Sequence, residues 1–130
     1  MTFNFSTAIA VGIGGFLGAI LRFYISIEIS RLYPHSIPLS TLFINITGSF
    51  IMGIFVAIFL HFTPSDTLKG FLTIGFLGAL TTYSTFAIES YTLLQNHFYY
   101  GVLNIFANAI GTIISVAIGY KIASKLLSYS

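Results

Sequence analysis

The 130-residue sequence has no cysteine and no tryptophan, and charge is almost as scarce: five Lys or Arg stand against three Asp or Glu. Without cysteine there are no disulfides, no thiolate metal sites and no cysteine nucleophile, and the redox compartment is left open. An ordinary soluble domain of this length carries about thirty charged residues, roughly a quarter of the chain. A chain without them cannot coat itself in polar surface. Instead, 56% of the residues are hydrophobic and the mean hydropathy is +0.96. The solvent for such a chain is lipid. The pI near 9 rests on two surplus charges and is no sign of nucleic-acid binding. A spanning helix takes about 20 apolar residues, so at most four or five spans fit, with no room for a soluble domain.

Charges and turn formers divide the chain into four apolar stretches, at about 3–27, 39–62, 67–94 and 99–123. The first connector holds Glu28, Arg31, Pro34, His35 and Pro38. The second is Thr63-Pro64-Ser65-Asp66, where Ser65 or Asp66 can accept from the unpaired N–H groups that open a helix. Gln95-Asn96-His97 forms the third, and a short tail with Lys125 follows the last stretch. The first stretch lacks the basic leader of a signal peptide, and its Ala8-Ile9-Ala10 comes too early for a cleavage site. The runs are continuous rather than alternating, which argues against a transmembrane β-barrel. The expected fold is an all-α membrane protein, a single four-helix bundle.

Orientation follows Lys and Arg near the span ends. With four spans, Lys69, Lys121 and Lys125 fall on one side and Arg22 and Arg31 on the other. So weak a bias allows insertion both ways, with opposite copies pairing in the membrane, as readily as a single topology set by partners or lipid. Polar and small residues also form stripes at helical spacing: Asn104, Asn108, Gly111, Thr112, Ser115 and Gly119 in span four, Thr41, Asn45, Gly48, Ser49 and Met52 in span two. Gly14, Gly15, Gly18 and Arg22 share one side of span one. Most such stripes serve helix packing. Asn45 and Asn108 stand apart, because an amide deep in lipid needs a partner or water.

Span three departs from the others. Its centre reads Gly75-Phe76-Leu77-Gly78-Ala79-Leu80-Thr81-Thr82-Tyr83-Ser84-Thr85-Phe86, hydroxyl residues crowded behind two glycines. Regular helix is least secure there, and a break at the bilayer midplane is tolerated where it is buried in protein or lines water. Freed carbonyls can hold a cation, and freed N–H groups and hydroxyls can meet an anion. The competing expectation is an unbroken helix whose hydroxyls bond back one turn. Glu89, one turn beyond Phe86, is the only acid well inside a span, a candidate for proton relay or for a structural hydrogen bond. Arg22 stands near the mouth of span one, where it can snorkel or draw anions into a vestibule. His35, His61 and His97 fall at span ends with no metal-ligand spacing. No catalytic constellation is visible, so transport or structure is expected rather than enzymology.

Three motifs, Gly18-Ala19-Ile20-Leu21-Arg22-Phe23-Tyr24, Asn45-Ile46-Thr47-Gly48-Ser49-Phe50 and Gly78 to Phe86, resemble the signatures of the Fluc (CrcB) fluoride channels. The resemblance covers the whole chain in length, span number and motif order. It implies a fluoride-selective channel of two antiparallel subunits in the cell membrane, with two narrow pores and a structural sodium ion at the dimer centre. The sodium would be held by backbone carbonyls of Gly78 and Thr81. The pore aromatics would be Tyr83 and Phe86, the pore amide Asn45, and the polar track Ser84, Thr85 and Thr112, with Arg22 in the vestibule. The family usually carries Phe where Tyr83 stands, and the added hydroxyl either donates to the ion or narrows the pore. Some members pair two different subunits.

The chemistry of the motifs suits that function. A small anion must exchange its hydration shell for donors, and neutral hydroxyls and amides supply them without trapping it. Aromatic ring edges carry the positive part of the quadrupole and can face an anion. Flow would be passive, relieving fluoride that accumulates as the weak acid. Two other readings compete with it. One is a small proton-coupled exporter using Glu89, against which stand the lack of a central acid in span one and of any tryptophan. The other is a non-conducting partner subunit, whose stripes are interfaces only.

Overall fold

A computed structural model describes residues 4–34 and 37–129; the expected start of span one at Phe3 and the interfacial His35 lie outside them. All regular structure among the described residues is helical: α1 (Phe5–Leu32), α2 (Leu39–Phe62), α3 (Asp66–Lys69), a π-helical stretch (Gly70–Leu77), α4 (Gly78–Leu80), α5 (Tyr83–Asn96) and α6 (Phe98–Leu127). Phe5–Leu32, Leu39–Phe62, Asp66–Asn96 and Phe98–Leu127 are each long and apolar enough to cross a membrane. The protein is therefore a multi-pass membrane protein with four candidate spans, α3 through α5 making up the third.

Local chemistry accounts for most of the ends. Asn4 caps α1, its side chain accepting from the Thr7 amide at 2.7 Å. Ser65 caps α3 by accepting from Leu68, one of the two caps expected from sequence. The helix α1 continues past Ile27 and takes in Glu28 and Arg31, which the sequence reading assigns to a connector. Both are good helix formers, and one turn apart they pair at 2.7 Å. In the same way α6 runs on through Lys125 to Leu127. At the end of α2, Thr63 adopts a left-handed conformation (φ 42°, ψ 59°) before Pro64.

The bundle assembles through glycines. A methyl group on Gly14 or Gly18 of α1 would collide with the Phe71 or Phe76 carbonyl, and one on Gly75 with the Val11 carbonyl. There α1 lies directly against the backbone of the π-helical stretch. The second close pair is α2 with α6, where Gly53 faces Val116 and Gly119 faces Phe50. Lipid tails are as apolar as leucine, so close van der Waals approach, rather than a hydrophobic force, draws such helices together. The apolar core is small: Ile44, Leu77 and Leu80, flanked by partly buried Ile25, Met52 and Phe76. Span three links the two pairs. Its first half leans on α1 and its second half on α6.

Candidate ion site at the helix break

The changeover in span three happens at two residues. Thr81 (φ −76°, ψ 157°) and Thr82 (φ −147°, ψ 120°) are extended, so the helix stops at Leu80 and restarts at Tyr83. The Thr81 hydroxyl does bond back to the Leu77 carbonyl at 2.9 Å, the pattern expected of an unbroken helix, yet the backbone breaks immediately beyond it. Thr82 then serves as N-cap for α5, its hydroxyl accepting from the Thr85 amide at 3.2 Å. Space for the turn comes from Gly48 of α2, where any side chain would meet the Thr81 methyl.

Asn45 closes the gap that the break opens. Its Oδ1 accepts from the Thr82 amide at 2.9 Å, and its Nδ2 donates to the Thr82 carbonyl at 3.1 Å. One side-chain amide thus pairs with one residue of extended backbone as a neighbouring strand would. The second Nδ2 hydrogen goes to Asn108 Oδ1 at 3.0 Å. Asn108 donates in turn to the Asn104 side-chain oxygen at 3.1 Å, and Asn104 donates to Ser90 Oγ at 2.9 Å. All three asparagines are buried, at 8%, 3% and 0% exposure. Paired in this way, they answer the question that the sequence raises about Asn45 and Asn108.

The same bonds free other groups. In a continuous helix the Gly78 carbonyl would accept from the Thr82 amide and the Thr81 carbonyl from the Thr85 amide. Here those two amides are committed to Asn45 and to the Thr82 hydroxyl. A helix C-terminus with two carbonyls deprived of their helical donors therefore abuts the N-terminus of the next helix. The first end favours a cation and the second an anion.

A cavity of about 350 Å³ opens beside the break. Its polar wall comprises Asn45, Ser49, Thr81, Thr82, Asn108 and Thr112, and its aromatic wall Tyr83 and Phe86, with Ile105 and Ala109 between. No Asp, Glu, His, Lys or Arg stands in this wall. Tyr83 and Phe86 pack edge to face, centroids 5.4 Å apart at 62°. Tyr83 is 80% exposed and so lies on an outer face of the single chain.

Of the residues singled out from sequence, Asn45, Thr81, Tyr83, Phe86 and Thr112 line this cavity together. Ser84 and Thr85 sit beside it, exposed on the first turn of α5, and Gly78 lies exposed one turn before the break. Arg22 is half-buried on α1, well before the end of that helix and away from the cavity wall. Glu89 also stays outside the wall; one carboxylate oxygen accepts from Thr41 Oγ1 at 2.8 Å, and the other is buried without a protein partner. Three further polar residues complete the wall: Ser49, legible only as a member of a stripe, Thr82, legible as part of the hydroxyl run, and Asn108, marked from sequence as an amide that needs a partner. Ser90 carried no signal at all, being an isolated serine in the more polar half of its span.

A four-span membrane protein with a broken helix beside a cavity of neutral donors has the form of a pore or transporter. Comparison with known proteins narrows this. Residues 9–120 match the family model described as CrcB-like protein, Camphor Resistance (CrcB). The protein called fluoride-specific ion channel FluC in Sulfurimonas denitrificans is 50% identical over 121 residues, covering 92% of this chain and 94% of that one. The namesake in Nautilia profundicola is 44% identical over 120 residues (91% and 94%), and one in Campylobacter jejuni is 40% identical over 118 (90% and 97%). The chain belongs to the CrcB family.

Proposed function

We propose that this chain is a subunit of a passive, fluoride-selective channel of the cell membrane, which lets fluoride leave a bacterial cell and so limits its toxicity. The observation that carries the reading is the cavity at the break, lined by hydroxyl and amide groups and two aromatic rings and free of fixed charge. Such a wall replaces a hydration shell by neutral donors, and the N-terminus of α5 adds its positive end. An ion held only by neutral groups binds weakly enough to move on. The names of the family relatives point to the same ion.

The working unit is two copies in antiparallel orientation, or this chain with a related subunit, with the breaks near the bilayer midplane. Tyr83, Ser84 and Thr85 face outward from the single chain. Polar groups turned toward lipid are costly, so a second subunit over that face is the arrangement that satisfies them. The near-even split of Lys and Arg, three against two, permits insertion in both directions. The carbonyls of Gly78 and Thr81, stripped of their helical donors, are the hard oxygen ligands that sodium takes. A sodium ion between the two breaks would join the facing helix ends and neutralise their negative poles. Ser84, Thr85 and Thr112 then form the polar track, with Arg22 drawing anions toward a vestibule.

Asn45 enters this scheme with its three hydrogen bonds already made, so its part in the free protein is to hold the break open. Glu89, hydrogen-bonded to Thr41 away from the cavity, is a structural group on this reading and not a proton carrier. The test is fluoride efflux from liposomes holding the purified protein. A fluoride leak that chloride does not match, reduced in Phe86→Ala and Asn45→Ala, is expected. No fluoride leak, even with a competent related subunit supplied, contradicts the reading.

A further inference from the structure

The hydrogen bonds that start at the break return to the helix they left. From the Thr82 amide the path runs through Asn45 on α2, Asn108 and Asn104 on α6, and ends at Ser90 on α5. Thr82 and Ser90 lie two turns apart on span three, and between them stand Tyr83 and Phe86. The chain of amides is a clamp across the segment that carries both aromatic rings. Each amide donates to the next in one direction, so the rotamer of each is set by its neighbour, and such head-to-tail bonds reinforce one another.

We propose that Ser90 and Asn104 are positioning residues for the pore, fixing through this relay the orientation of the Asn45 amide and the angle at which α5 leaves the break. The proposal deepens the channel reading and rests on it. Neither residue lines the cavity, so neither touches an ion held there. Asn104 is fully buried, and its Nδ2 reaches Ser90 Oγ from the adjacent helix. With that anchor gone, Asn104 is free to turn. Its oxygen then no longer holds Asn108, which keeps only the Nδ2 bond to the Asn104 main-chain carbonyl at 3.2 Å, and the rotamer that receives Asn45 is loosened. The effect arrives at Thr82 with no change in any residue of the wall.

Ser90→Ala removes the anchor while placing a favourable helix former in α5. Two readouts follow it: fluoride efflux from liposomes, and the side-chain amide signal of Asn45 in solid-state NMR of ¹⁵N-asparagine-labelled protein, assigned by its absence in Asn45→Asp. The expected result is a shifted or broadened Asn45 signal with efflux lowered about tenfold, the scale of one buried hydrogen bond. Ser90→Thr, which keeps the hydroxyl, is expected to retain both the signal and the efflux of the unaltered protein. Asn104→Leu should reproduce Ser90→Ala. An Asn45 signal that stays in place in Ser90→Ala overturns the proposal, as does a moved signal with efflux within about twofold of the unaltered protein. Failure of the channel reading looks different: the unaltered protein carries no fluoride, whatever the Asn45 signal does.

Discussion

Replacing Asn45 by alanine tests how the break is held. The substitution removes three hydrogen bonds at once, to the Thr82 amide at 2.9 Å, the Thr82 carbonyl at 3.1 Å and Asn108 Oδ1 at 3.0 Å. Each orphaned buried group costs about 1–3 kcal/mol. The adjoining cavity of about 350 Å³ is roomy and polar enough for water to reach the Thr82 groups, which places the cost at the low end of that range. Three groups at about 1 kcal/mol each predict a loss of about 3 kcal/mol, or roughly a hundredfold in the folding equilibrium. Reversible unfolding in mixed micelles, followed by circular dichroism, measures it. Asn45→Asp sharpens the result. It keeps an acceptor for the Thr82 amide but turns an oxygen toward the Thr82 carbonyl and Asn108 Oδ1, so it should be at least as damaging. If either variant costs less than about 0.5 kcal/mol, Asn45 does not brace the break, and the account of span three fails.

Other substitutions probe separate parts of the bundle. Gly18→Val should prevent folding or cost several kcal/mol, because α1 has no room there against the Phe76 carbonyl, whereas Gly12→Ala, with open space around it, should stabilise by up to about 1 kcal/mol; thermal unfolding in detergent compares them. Thr63→Gly should relieve a left-handed conformation that costs a non-glycine residue about 1–2 kcal/mol, raising the unfolding midpoint. Glu89→Gln should leave fluoride efflux uncoupled from any proton gradient, as the parent protein is expected to be; proton movement that depends on Glu89 would instead support the exporter reading. Exchange of sodium for a large organic cation during purification should weaken subunit pairing, read by chemical cross-linking in liposomes.

The four spans were legible because hydropathy is a sum over some twenty residues, and no single contact can reverse it. The break was legible for a similar reason: glycine and four small hydroxyl side chains within one stretch both weaken a helix and repair its loss. The π-helical stretch from Gly70 to Leu77 was not. It accompanies a close approach of α1, in which Gly14 and Gly18 on one helix meet Phe71 and Phe76 on another, and local propensity does not carry such a pairing. Helix ends were misplaced where charge was taken for a stop, since Glu28 and Arg31 extend α1 by satisfying each other. For the site, the need of Asn45 and Asn108 for partners followed from burial in lipid, but that they partner each other depends on the packing of α2 against α6. Ser90 joins the network only by lying opposite Asn104, a fact of tertiary structure without a local trace.

The central claim is that fluoride crosses the membrane through the cavity at the break. It is tested most directly by loading liposomes that contain the purified protein, with a related subunit added in a parallel sample, and recording efflux with a fluoride electrode. The account predicts rapid fluoride release, far slower chloride release under the same gradient, and loss of the fluoride signal in Phe86→Ala. Equal release of both ions, or no release from correctly folded and paired protein, would contradict it.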